Sequence, residues 1–422
     1  MFDVIIIGAG ISGSSFAKKI SKHAKALLIE ARDGIDIRTN VFPEHNRLFL
    51  NENEINLEDR ELFPCDHIKT LYFDKNDKGY INSEDFGEPL GKIVYTDRLI
   101  KKLLRIYEDN GGIVHFNEKV TKVTRFPDKI EVSTDKNETY SAKVLVLATG
   151  SRAFELQKSL GFEIPDSYLG IYTHLYGSED QIKQNFDFDY MFHINPNISK
   201  DGPFFFNVGK DRVLTGFLGQ KKETEAEIVE KLDRILKNYP YIQPNLKNLK
   251  WDKSSFITGK ISKHPISKFS KDRTLILGEA AGLVTAFFYE GILSGLVSAE
   301  TAANTLSPLF EKESAFNETE LRTYDQGLRR TILDNYYKNG AACEYIFYDE
   351  NPSIIRTIWE AYIKLIKENR KLRKQIWEAY RIPIEKYDTN RDRWAGEQLY
   401  KALPTLSKLT LTPKFLKALM RF

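Results

Sequence analysis

The stretch FDVIIIGAGISG, residues 2–13, decides the fold of the N-terminal part of the chain. Its first half is an unbroken apolar run rich in β-branched residues, which is typical of a parallel strand buried on both faces. Its second half has the spacing G-x-G-x-x-G. Residues 14–20 favour a helix, and KALLIE at residues 25–30 favours a second strand. This order of strand, glycine turn, helix and strand predicts a dinucleotide-binding fold of the Rossmann type.

Each position of the glycine turn has a physical task in binding a dinucleotide. Gly8 makes the tight turn, Gly10 lets the backbone approach a pyrophosphate, and Gly13 allows the helix to pack closely on the strand. The helix N-terminus offers free N–H groups to the phosphates. Glu30 follows Gly10 by 20 residues, the distance expected for an acid that binds a ribose hydroxyl. The predicted contacts in this segment are Gly8, Gly10, Ile11, Ser12, Gly13, Glu30, Ala31 and Arg32.

The position of the turn helps to decide which dinucleotide is bound. It lies at the start of the chain and no second G-x-G-x-x-G follows, which fits a flavoprotein with one built-in FAD. KVLVLATG at 143–150 and RTLILGEAAG at 273–282 are apolar strands that end in small residues, so both bring backbone close to a dinucleotide. Neither Cys65 nor Cys343 lies in an attachment motif, so we predict non-covalent FAD. The external electron donor, NAD(P)H or a ferredoxin, stays open.

Together these segments resemble the superfamily of FAD-dependent enzymes that includes the aromatic hydroxylases, and the third is similar to the geranylgeranyl reductase family. GEAAGLV at 278–284 and YEGI at 289–292 follow the family pattern G-D-A-A-G-x-x-x-P-x-x-x-E-G-I. Glu279 replaces the aspartate of that pattern and Ala286 replaces its proline. YTDR at 95–98 is also similar to the family. RTNV at 38–41 stands where the family often has Arg-Cys-Gly-Glu, so only the arginine is retained.

The resemblance implies further cofactor contacts and an activity. The arginine of YTDR contacts the flavin region in such folds, and Val120 is expected near the adenine. The implied FAD-binding residues are Arg38, Arg98, Val120, Ala148, Thr149, Gly150, Gly278, Glu279, Gly291 and Ile292. The implied reaction is hydride transfer from reduced flavin to a carbon–carbon double bond of a polyprenyl or other isoprenoid lipid. A flavin monooxygenase that hydroxylates or epoxidises a small apolar molecule is the alternative, and a flavin-stabilised binding protein is a third hypothesis.

The length of 422 residues suits two or three domains, and 41% hydrophobic with 29% charged residues excludes a disordered or collagen-like chain. We predict an α/β fold, α+β overall, with a parallel sheet in the FAD-binding domain. That domain comprises residues 1–165 and 265–310, with an excursion at 41–95. An antiparallel-sheet substrate domain is predicted at 166–264 and a helical region at 311–422.

Aromatic residues alternate with polar ones between residues 168 and 217, which favours half-buried strands. We expect one face of this sheet to roof the flavin and to line an apolar substrate pocket. The predicted substrate contacts are Phe192, Phe204, Phe206 and Phe217. The candidate catalytic residues are Glu290, near the flavin edge, and His193. No metal site is expected, because the seven histidines include no H-x-x-x-H pair.

The charge is distributed unevenly along the chain. Residues 351–422 carry 16 Lys and Arg against 7 Asp and Glu, a net charge of +9, and the remaining 46 against 52 give residues 1–350 a net charge of −6. A basic tail indicates contact with something anionic, and nucleic acid, an anionic membrane surface and an acidic partner protein all fit. The other interpretation is a solvated helical face. For a lipid substrate, the anionic membrane surface is the partner that we predict. The apolar face for such contact is predicted from Leu403, Leu406, Leu409, Leu411, Phe415, Leu416 and Leu419.

Other partners and compartments are constrained by what the sequence lacks. No recognisable nucleic-acid module is present, so nucleic acid is not an expected partner. There is neither an uninterrupted apolar run of about 20 residues nor a signal-peptide pattern. We therefore expect a cytoplasmic protein with peripheral contact to a membrane, and its oligomeric state stays open.

Overall fold

The structure, a computed structural model, describes residues 1–50, 54–187, 189–312 and 314–420. The strands are β1 (Phe2–Ile7), β2 (Ala26–Ile29), β3 (Thr39–Pro43), β4 (Cys65–His67), β5 (Lys69–Phe73), β6 (Lys78–Asn82), β7 (Gly91–Tyr95), β8 (Ile113–His115), β9 (Val120–Arg125), β10 (Ile130–Thr134), β11 (Thr139–Leu147), β12 (Ser167–Tyr176), β13 (Tyr190–His193), β14 (Phe204–Val208), β15 (Arg212–Leu218), β16 (Ile257–Ser262), β17 (Ser270–Lys271) and β18 (Thr274–Ile276).

The α-helices are α1 (Ile11–Ile20), α2 (Thr96–Asp109), α3 (Phe154–Ser159), α4 (Glu179–Asn185), α5 (Glu225–Asn238), α6 (Gln243–Leu246), α7 (Ile292–Glu311), α8 (Glu318–Leu328), α9 (Lys338–Phe347), α10 (Pro352–Glu368), α11 (Arg370–Ala379), α12 (Thr389–Ala402) and α13 (Thr405–Leu419). A π-helical segment, Arg329–Tyr337, joins α8 to α9. Short 3₁₀ turns lie at Glu44–Phe49, Ser83–Asp85, Gly150–Arg152, Lys253–Ser255, Gly278–Ala281 and Ile384–Lys386.

The first sheet is the predicted parallel sheet of a Rossmann-type domain. Its order is β17-β18-β11-β1-β2-β8, and the hairpin β9–β10 pairs onto β11. Strand β1 pairs in parallel with both β2 and β11. Val4, Ile5 and Ile6 have no exposed surface, because the strand lies in the middle of the sheet with apolar packing on both faces. The glycine turn therefore lies at the carboxyl edge of the central strand, where dinucleotides bind in this fold.

The second sheet is antiparallel except for one pair of strands and has the order β16-β12-β15-β14-β13-β5-β6. Strands β5 and β6 belong to the predicted excursion 41–95, and β5 joins the sheet in parallel with β13. The predicted substrate domain 166–264 therefore contains only part of its sheet. A small third sheet, β3-β7-β4, connects the two larger ones.

One row of paired residues crosses the second sheet and defines its two faces. Tyr172 pairs with Gly216, Gly216 with Phe205, Phe205 with Phe192, and Phe192 with Tyr72. Paired residues on neighbouring strands point to the same side of a sheet. We call this side face A and the opposite side face B. Helix α5 packs on face B.

The C-terminal helices cover the part of face A that carries Tyr72 and Phe192. Trp359 of α10 is 1% exposed and stacks on Tyr72 with ring centroids 6.3 Å apart. Gly79 of β6 lies so close to α10 that a Cβ atom there would be 2.7 Å from the carbonyl oxygen of Ile363. The helical region is therefore part of the main core. In the part of the chain that the structure describes, no helix has the length and apolarity that crossing a membrane requires.

Candidate active site at the junction of two sheets

The glycine turn leaves an open space above one glycine and is closely packed at the other two. Gly8 has φ +104°, and a Cβ atom there would collide with the carbonyl oxygen of Ala148. A Cβ atom at Gly13 would collide with the carbonyl oxygen of Gly8. A Cβ atom at Gly10 would meet nothing within 4 Å. Gly8 and Gly13 are thus required by the fold, whereas the space above Gly10 is available to a ligand.

The Glu30 carboxylate connects the glycine turn to the chain after β2. One of its oxygens accepts a hydrogen bond of 2.8 Å from the Ala9 N–H. The other accepts from the Arg32 N–H at 3.1 Å and from Arg32 Nε at 2.9 Å. Glu30 is 6% exposed, and a carboxylate oxygen with one such partner still has a free lone pair. Its place at the end of β2, beside Ala9, agrees with the predicted ribose contact, and neighbouring Ala31 is exposed.

Three arginines surround the carboxylate of Asp36 at the edge of this cleft. Arg32 pairs with it directly, Arg152 Nη2 lies 3.1 Å from Oδ2, and Arg38 Nη2 lies 4.0 Å away. The side chain of Arg38 remains 46% exposed. Three guanidinium groups lie at this edge of the cleft, beside the carboxyl groups of Asp36, Glu30 and Glu279, and such groups can donate paired hydrogen bonds to a pyrophosphate.

Two loops with small residues form the other walls of the cleft. Ala148 donates its N–H to the Ile7 carbonyl at 2.8 Å, and the buried Oγ1 of Thr149 has no hydrogen-bond partner among the described residues. Gly150 has φ +57°. Gly278 also has φ +57° and lies against Ser12 Oγ, so a side chain there has no room. Burial raises the pKa of Glu279, and nearby Arg38 and Arg152 oppose that rise.

A buried network holds the backbone at Arg38. Arg212 of β15 donates to Asp97 Oδ1 at 2.7 Å, to Thr39 Oγ1 at 2.9 Å and to the Arg38 carbonyl at 3.2 Å. Asp97 Oδ1 also accepts the Arg38 N–H at 3.2 Å, and Asn207 Nδ2 donates to the Thr39 carbonyl at 3.0 Å. The side chains of Arg212 and Asp97 are each 6% exposed. The second sheet thereby fixes the segment that presents Arg38 to the cleft.

Two further predicted cofactor contacts are Arg98, in the first turn of α2, and Val120, the first residue of β9. Arg98 donates to the Glu61 carbonyl at 3.2 Å, and its guanidinium carbon lies 4.8 Å from the centre of the Tyr95 ring. Val120 is 7% exposed at the start of β9. Its neighbour Glu118 donates its N–H to the Glu30 carbonyl at 3.0 Å. Val120 therefore lies on the side of the cleft where Glu30 ends β2.

The cleft fits a dinucleotide with a pyrophosphate. Open space above Gly10, an unpartnered hydroxyl at Thr149 and three guanidinium groups at the edge are each features that such a ligand would use. The N-terminus of α7 lies at the same place, because a Cβ atom at Gly295 would be 2.9 Å from Ile11 Cγ2. Gly291 and Ile292, one turn earlier in α7, thus lie along the same wall.

The loop that precedes α7 places Glu290 between the cofactor cleft and a neighbouring cavity. Thr285 closes the loop, because its N–H donates to the Glu290 carbonyl at 3.1 Å and its Oγ1 accepts the Glu290 N–H at 3.0 Å. Tyr289 has φ +56°, a strained conformation for a bulky residue. Burial raises the pKa of Glu290 to about 7. The strained turn thus holds a carboxyl group that keeps its proton up to neutral pH.

The cavity beside Glu290 has a volume of about 200 Å³. It lies between face A, the loop before α7 and the helices from the π-helical segment to α12. Most of its wall is aromatic or aliphatic, and residues of this wall include Tyr72, Phe287, Phe288, Tyr336, Ile346, Phe347, Tyr362, Leu372, Ile376, Tyr380 and Leu399. Phe288 stacks on Phe192 of β13 with ring centroids 4.7 Å apart. The cavity is thus an apolar space that Glu290 borders.

The predicted substrate contacts divide between the two faces of the sheet. Phe192 lies on face A and packs against the aromatic rings around the cavity. Phe204, Phe206 and Phe217 lie in the core under α5 on face B. Their assignment to the pocket is therefore wrong. The pattern of alternation predicted the strands but not their faces. Phe205 belongs to the face A row, so its neighbours Phe204 and Phe206 point to face B.

His193 lies away from the cavity. It follows Phe192 on β13 and therefore points to face B, where its ring lies 4.5 Å from the Phe73 ring and 5.2 Å from the Tyr239 ring. It has no exposed surface, and burial lowers its pKa to about 3. The structure thus removes His193 from the catalytic candidates, and Glu290 remains.

Several residues of the site were missed in the sequence. Arg152 follows the Ala-Thr-Gly turn by two residues, a position that a search for cations near the turn would have found. Arg212 and Asp97 are 115 residues apart in the chain, and no local pattern joins them. The cavity residues of α9, α11 and α12 belong to the region whose role the sequence did not indicate.

The chain matches known families over both parts of this site. Residues 53–305, more than half of the chain, match the FAD dependent oxidoreductase family, and residues 6–51 match the NAD(P)-binding Rossmann-like domain. The chain therefore belongs to the FAD dependent oxidoreductase family, and its cofactor is FAD.

Individual proteins resemble this chain over most of its length. An uncharacterized protein of Methanocaldococcus jannaschii is 23% identical over 363 residues, which cover 82% of this chain and 84% of that protein. A geranylgeranyl bacteriochlorophyll reductase-like protein from Thermoplasma acidophilum has a TM-score of 0.74 at 17% identity, covering 98% of this chain and 99% of that one. A p-nitrophenol 4-monooxygenase from Pseudomonas putida has a TM-score of 0.69 at 14% identity, covering 91% and 98%. At these identities the structures are evidence for a shared fold alone.

Proposed function

We propose that this enzyme reduces a carbon–carbon double bond of an apolar, isoprenoid-type molecule that binds in the aromatic cavity. The observation that carries the proposal is the position of Glu290, a protonatable carboxyl between the cofactor cleft and the cavity. Reduction of a double bond adds a hydride to one carbon and a proton to the other. Two electrons from an external donor would first reduce the bound flavin, and the reduced flavin would supply the hydride, since the redox chemistry belongs to the cofactor.

Glu290 is suited to hold and deliver the proton. A general acid works best when its pKa lies near the working pH, and burial raises the pKa of Glu290 to about 7. The hydrogen bonds from and to Thr285 fix its backbone. The aromatic wall excludes water and orients an apolar chain against this carboxyl. The chain's own residues therefore supply orientation, a dry site and one proton.

A reaction without oxygen tests the proposal. The FAD-loaded protein is reduced with dithionite, freed of excess reductant and mixed with geraniol under nitrogen. We expect reoxidation of the flavin, seen as the return of its visible absorbance, and a product that has gained two hydrogen atoms by mass spectrometry. Absence of reoxidation by geraniol and by longer isoprenoid alcohols would contradict a reductase.

The size of the cavity favours a flavin monooxygenase as the second candidate. A volume of about 200 Å³ is below the range of roughly 300–1,000 Å³ that is usual for ligand pockets, so a small aromatic molecule would fill it. The T. acidophilum and P. putida proteins are described as a reductase-like protein and a monooxygenase, and both share the fold. Turnover that requires oxygen and adds one oxygen atom to the product would favour this candidate.

We also propose a peripheral membrane role for the exposed side of α13. Leu406 and Leu409 are 81% and 76% exposed, and Leu416 and Met420 are 57% and 80% exposed. Their spacing in the chain places these four on one side of the helix. Apolar side chains on a basic helix are the features of a segment that lies in the surface of an anionic bilayer. A lipid-soluble substrate resides in the bilayer, so an enzyme that acts on it has to reach the membrane surface.

A further inference from the structure

Four polar residues line the cavity beside its aromatic ones, and we call them the polar wall. His45 lies on the 3₁₀ turn after β3, Gln375 lies on α11, and Arg391 and Asp392 lie in the first turn of α12. These four polar side chains would weaken the binding of a pure hydrocarbon, because a polar side chain beside an apolar ligand loses its hydrogen bonds to water. The polar wall therefore indicates that the ligand has a polar end.

Each of these four residues has a buried polar atom without a partner. Within the described part of the chain, His45 Nε2, Gln375 Oε1, Arg391 Nη1 and Asp392 Oδ2 make no hydrogen bond. Buried polar atoms in native proteins nearly always have partners, because a buried polar group without one loses the hydrogen bonds that it made to water. Four such atoms on the wall of one cavity indicate that a bound molecule supplies the missing partners.

Three of the four atoms are hydrogen-bond acceptors. His45 Nδ1 lies 3.3 Å from the Ala379 carbonyl, which can only accept, so Nδ1 carries the proton and Nε2 accepts. Burial lowers the pKa of His45 to about 4, so the ring is neutral at pH 7. Gln375 Oε1 is an acceptor by its chemistry. Burial raises the pKa of Asp392 to about 6, so its carboxyl is mainly ionised at pH 7 and accepts through Oδ2. The wall therefore calls for donors on the ligand.

The charges on the wall disfavour an anionic ligand. Arg391 is the cation among the described lining residues, and the carboxyl of the adjacent Asp392 offsets it. Glu290, which the proposed reaction requires in its protonated form, adds no positive charge. A phosphate group would meet a single guanidinium that already has a carboxyl beside it, whereas phosphate sites have several cations or helix N-termini that face the anion.

We infer that the cavity binds an apolar molecule that ends in a neutral hydroxyl group, an alcohol or a phenol, and that it rejects the phosphate ester of that molecule. The hydroxyl has one proton, which it donates to one of the acceptors of Gln375, Asp392 and His45, and its oxygen accepts from Arg391 Nη1. The inference rests on the proposed function only in taking this cavity as the substrate site. It assigns the polar end of the substrate to the C-terminal helices and the reacting double bond to the side of Glu290.

Binding to the oxidised holoenzyme tests the inference without turnover. The FAD-loaded protein is titrated with geraniol and, separately, with geranyl monophosphate, which has the same hydrocarbon chain. The readout is the change in flavin absorbance and fluorescence. We expect geraniol to bind at least about tenfold more tightly, because one uncompensated buried charge costs this much or more. Equal or tighter binding of the phosphate, or no binding of geraniol, overturns the inference.

Variants on the polar wall locate the hydroxyl. Gln375→Met keeps the size of the side chain and Asp392→Asn removes one charge, and each should weaken geraniol binding about three- to tenfold. Asp392→Asn should also reduce the preference for geraniol over the phosphate. Glu397→Gln, a matched loss of charge on an exposed residue of α12, should change neither affinity. Unchanged geraniol binding in both wall variants overturns the inference.

The outcomes separate this inference from the proposed function. Geraniol that binds tightly but is never reduced contradicts the reductase and leaves the hydroxyl site in place. Geraniol that is reduced while its phosphate binds as well supports the reductase and contradicts the hydroxyl site. FAD content and thermal unfolding of each variant show whether the fold is kept. If the Asp392→Asn protein does not fold, the binding measurement on Gln375→Met, which changes no charge, is the test of the inference.

Discussion

Glu290 is the residue on which the proposed chemistry depends most. Burial raises the pKa of its carboxyl to about 7, and a proton donor acts only in its protonated form. We therefore expect the rate of double-bond reduction to be highest below pH 7 and to fall as the pH rises through that value. Glu290→Gln should lower kcat by about 100-fold or more, the usual contribution of a general acid, and should remove this pH dependence.

The measurement is anaerobic flavin reoxidation by the substrate across a pH series. Glu311→Gln, an exposed carboxyl at the other end of α7, is the matched control and should keep both the rate and its pH profile. If the Glu290→Gln protein has the rate and pH profile of the unchanged enzyme, the proton comes from another group.

Arg212 has a different task, because it acts on Arg38 through the backbone. Its guanidinium binds Asp97, Thr39 and the Arg38 carbonyl in a buried site. Arg212→Met leaves the Asp97 carboxylate buried without its partner, so we expect a loss of about 3–5 kcal/mol in the free energy of unfolding and a higher Kd for FAD. Asp97→Asn added to this variant should restore part of the stability.

The experiment measures thermal unfolding of the apoprotein and FAD affinity by fluorescence. Arg105→Met on the exposed side of α2 is the control for loss of an arginine and should alter neither. Equal stability of the Arg212→Met and Arg105→Met proteins would mean that the buried pair does not hold the segment at Arg38.

Single residues of the site could be predicted where their task is local. Gly8 and Gly13 have positions that follow from the geometry of a strand turning into a helix, and the structure shows no space for a side chain at either one. The position of Glu30 could be predicted from the number of residues between the glycine turn and the end of the second strand. Arg212 could not be found in this way, because its partner Asp97 is brought to it by the packing of one sheet on another, and hydrophobic periodicity contains no information on such pairs.

At the scale of elements, the glycine turn allows fold and ligand effects to be separated. Gly10 has φ −69° and no atom within 4 Å of an added Cβ, so Gly10→Ala should leave the apoprotein as stable as before. The new methyl group would occupy the space of the pyrophosphate, and FAD affinity should fall about tenfold or more. Gly13→Ala should instead destabilise the apoprotein, because its methyl group collides with the Gly8 carbonyl.

Apoprotein melting temperature and FAD content distinguish the two variants. Gly34→Ala, which also meets nothing within 4 Å but lies outside the turn, is the control. A Gly10→Ala protein with full FAD occupancy, or a Gly13→Ala apoprotein of normal stability, would contradict this assignment of roles. Glu30→Ala should also lower FAD occupancy, because it removes the acceptor at the end of β2.

The second sheet shows why an element can be predicted without its orientation. Alternation of aromatic and polar residues identifies a strand, and every second residue shares a face. In β14 both faces are aromatic, since Phe204 and Phe206 lie on face B and Phe205 lies on face A. The sequence therefore provides no polar side from which to choose, and only the pairing with β13 and β15 decides which ring faces the cavity.

The whole molecule depends on its C-terminal helices more than their sequence indicates. Their apolar spacing predicts helices, and the structure has α8 to α13 there. What the spacing does not indicate is the partner, since the same apolar face could cover another copy, a membrane or the body of the enzyme. Trp359 packs on Tyr72 of the second sheet and on Phe287 of the loop before α7. Phe347 also packs on Phe287, and Phe347 and Leu372 line the cavity.

Helix α13 divides the leucines that were expected to share one apolar face. Leu403, Leu411 and Phe415 are 3–6% exposed and pack against the core. Leu406, Leu409 and Leu416 point away from it. Deleting residues 403–422 would therefore damage the core as well as any membrane contact, and substitutions on the exposed side give a cleaner test.

A triple variant, Leu406→Gln with Leu409→Gln and Leu416→Gln, tests the membrane role. Vesicles of phosphatidylcholine with phosphatidylserine are sedimented with the FAD-loaded protein. We expect the unchanged protein to bind and the triple variant to bind at least about tenfold more weakly. Each leucine buried in the headgroup region contributes part of the roughly 1.5–3 kcal/mol that full burial of its side chain provides. Binding should also weaken with added salt, because each Lys or Arg near an anionic surface contributes about 1 kcal/mol that ions screen.

The control for lost apolar surface is Leu48→Gln with Ile164→Gln, two residues that are 58% and 40% exposed elsewhere on the body. These changes should leave vesicle binding intact, because neither residue lies on the basic helical region. Vesicles of phosphatidylcholine alone should bind the unchanged protein less than the anionic ones. Equal sedimentation of the triple variant and the unchanged protein would show that the exposed side of α13 does not meet the bilayer. If the unchanged protein has the mass of a dimer in solution and the triple variant that of a monomer, a second copy of the chain is the partner of this side.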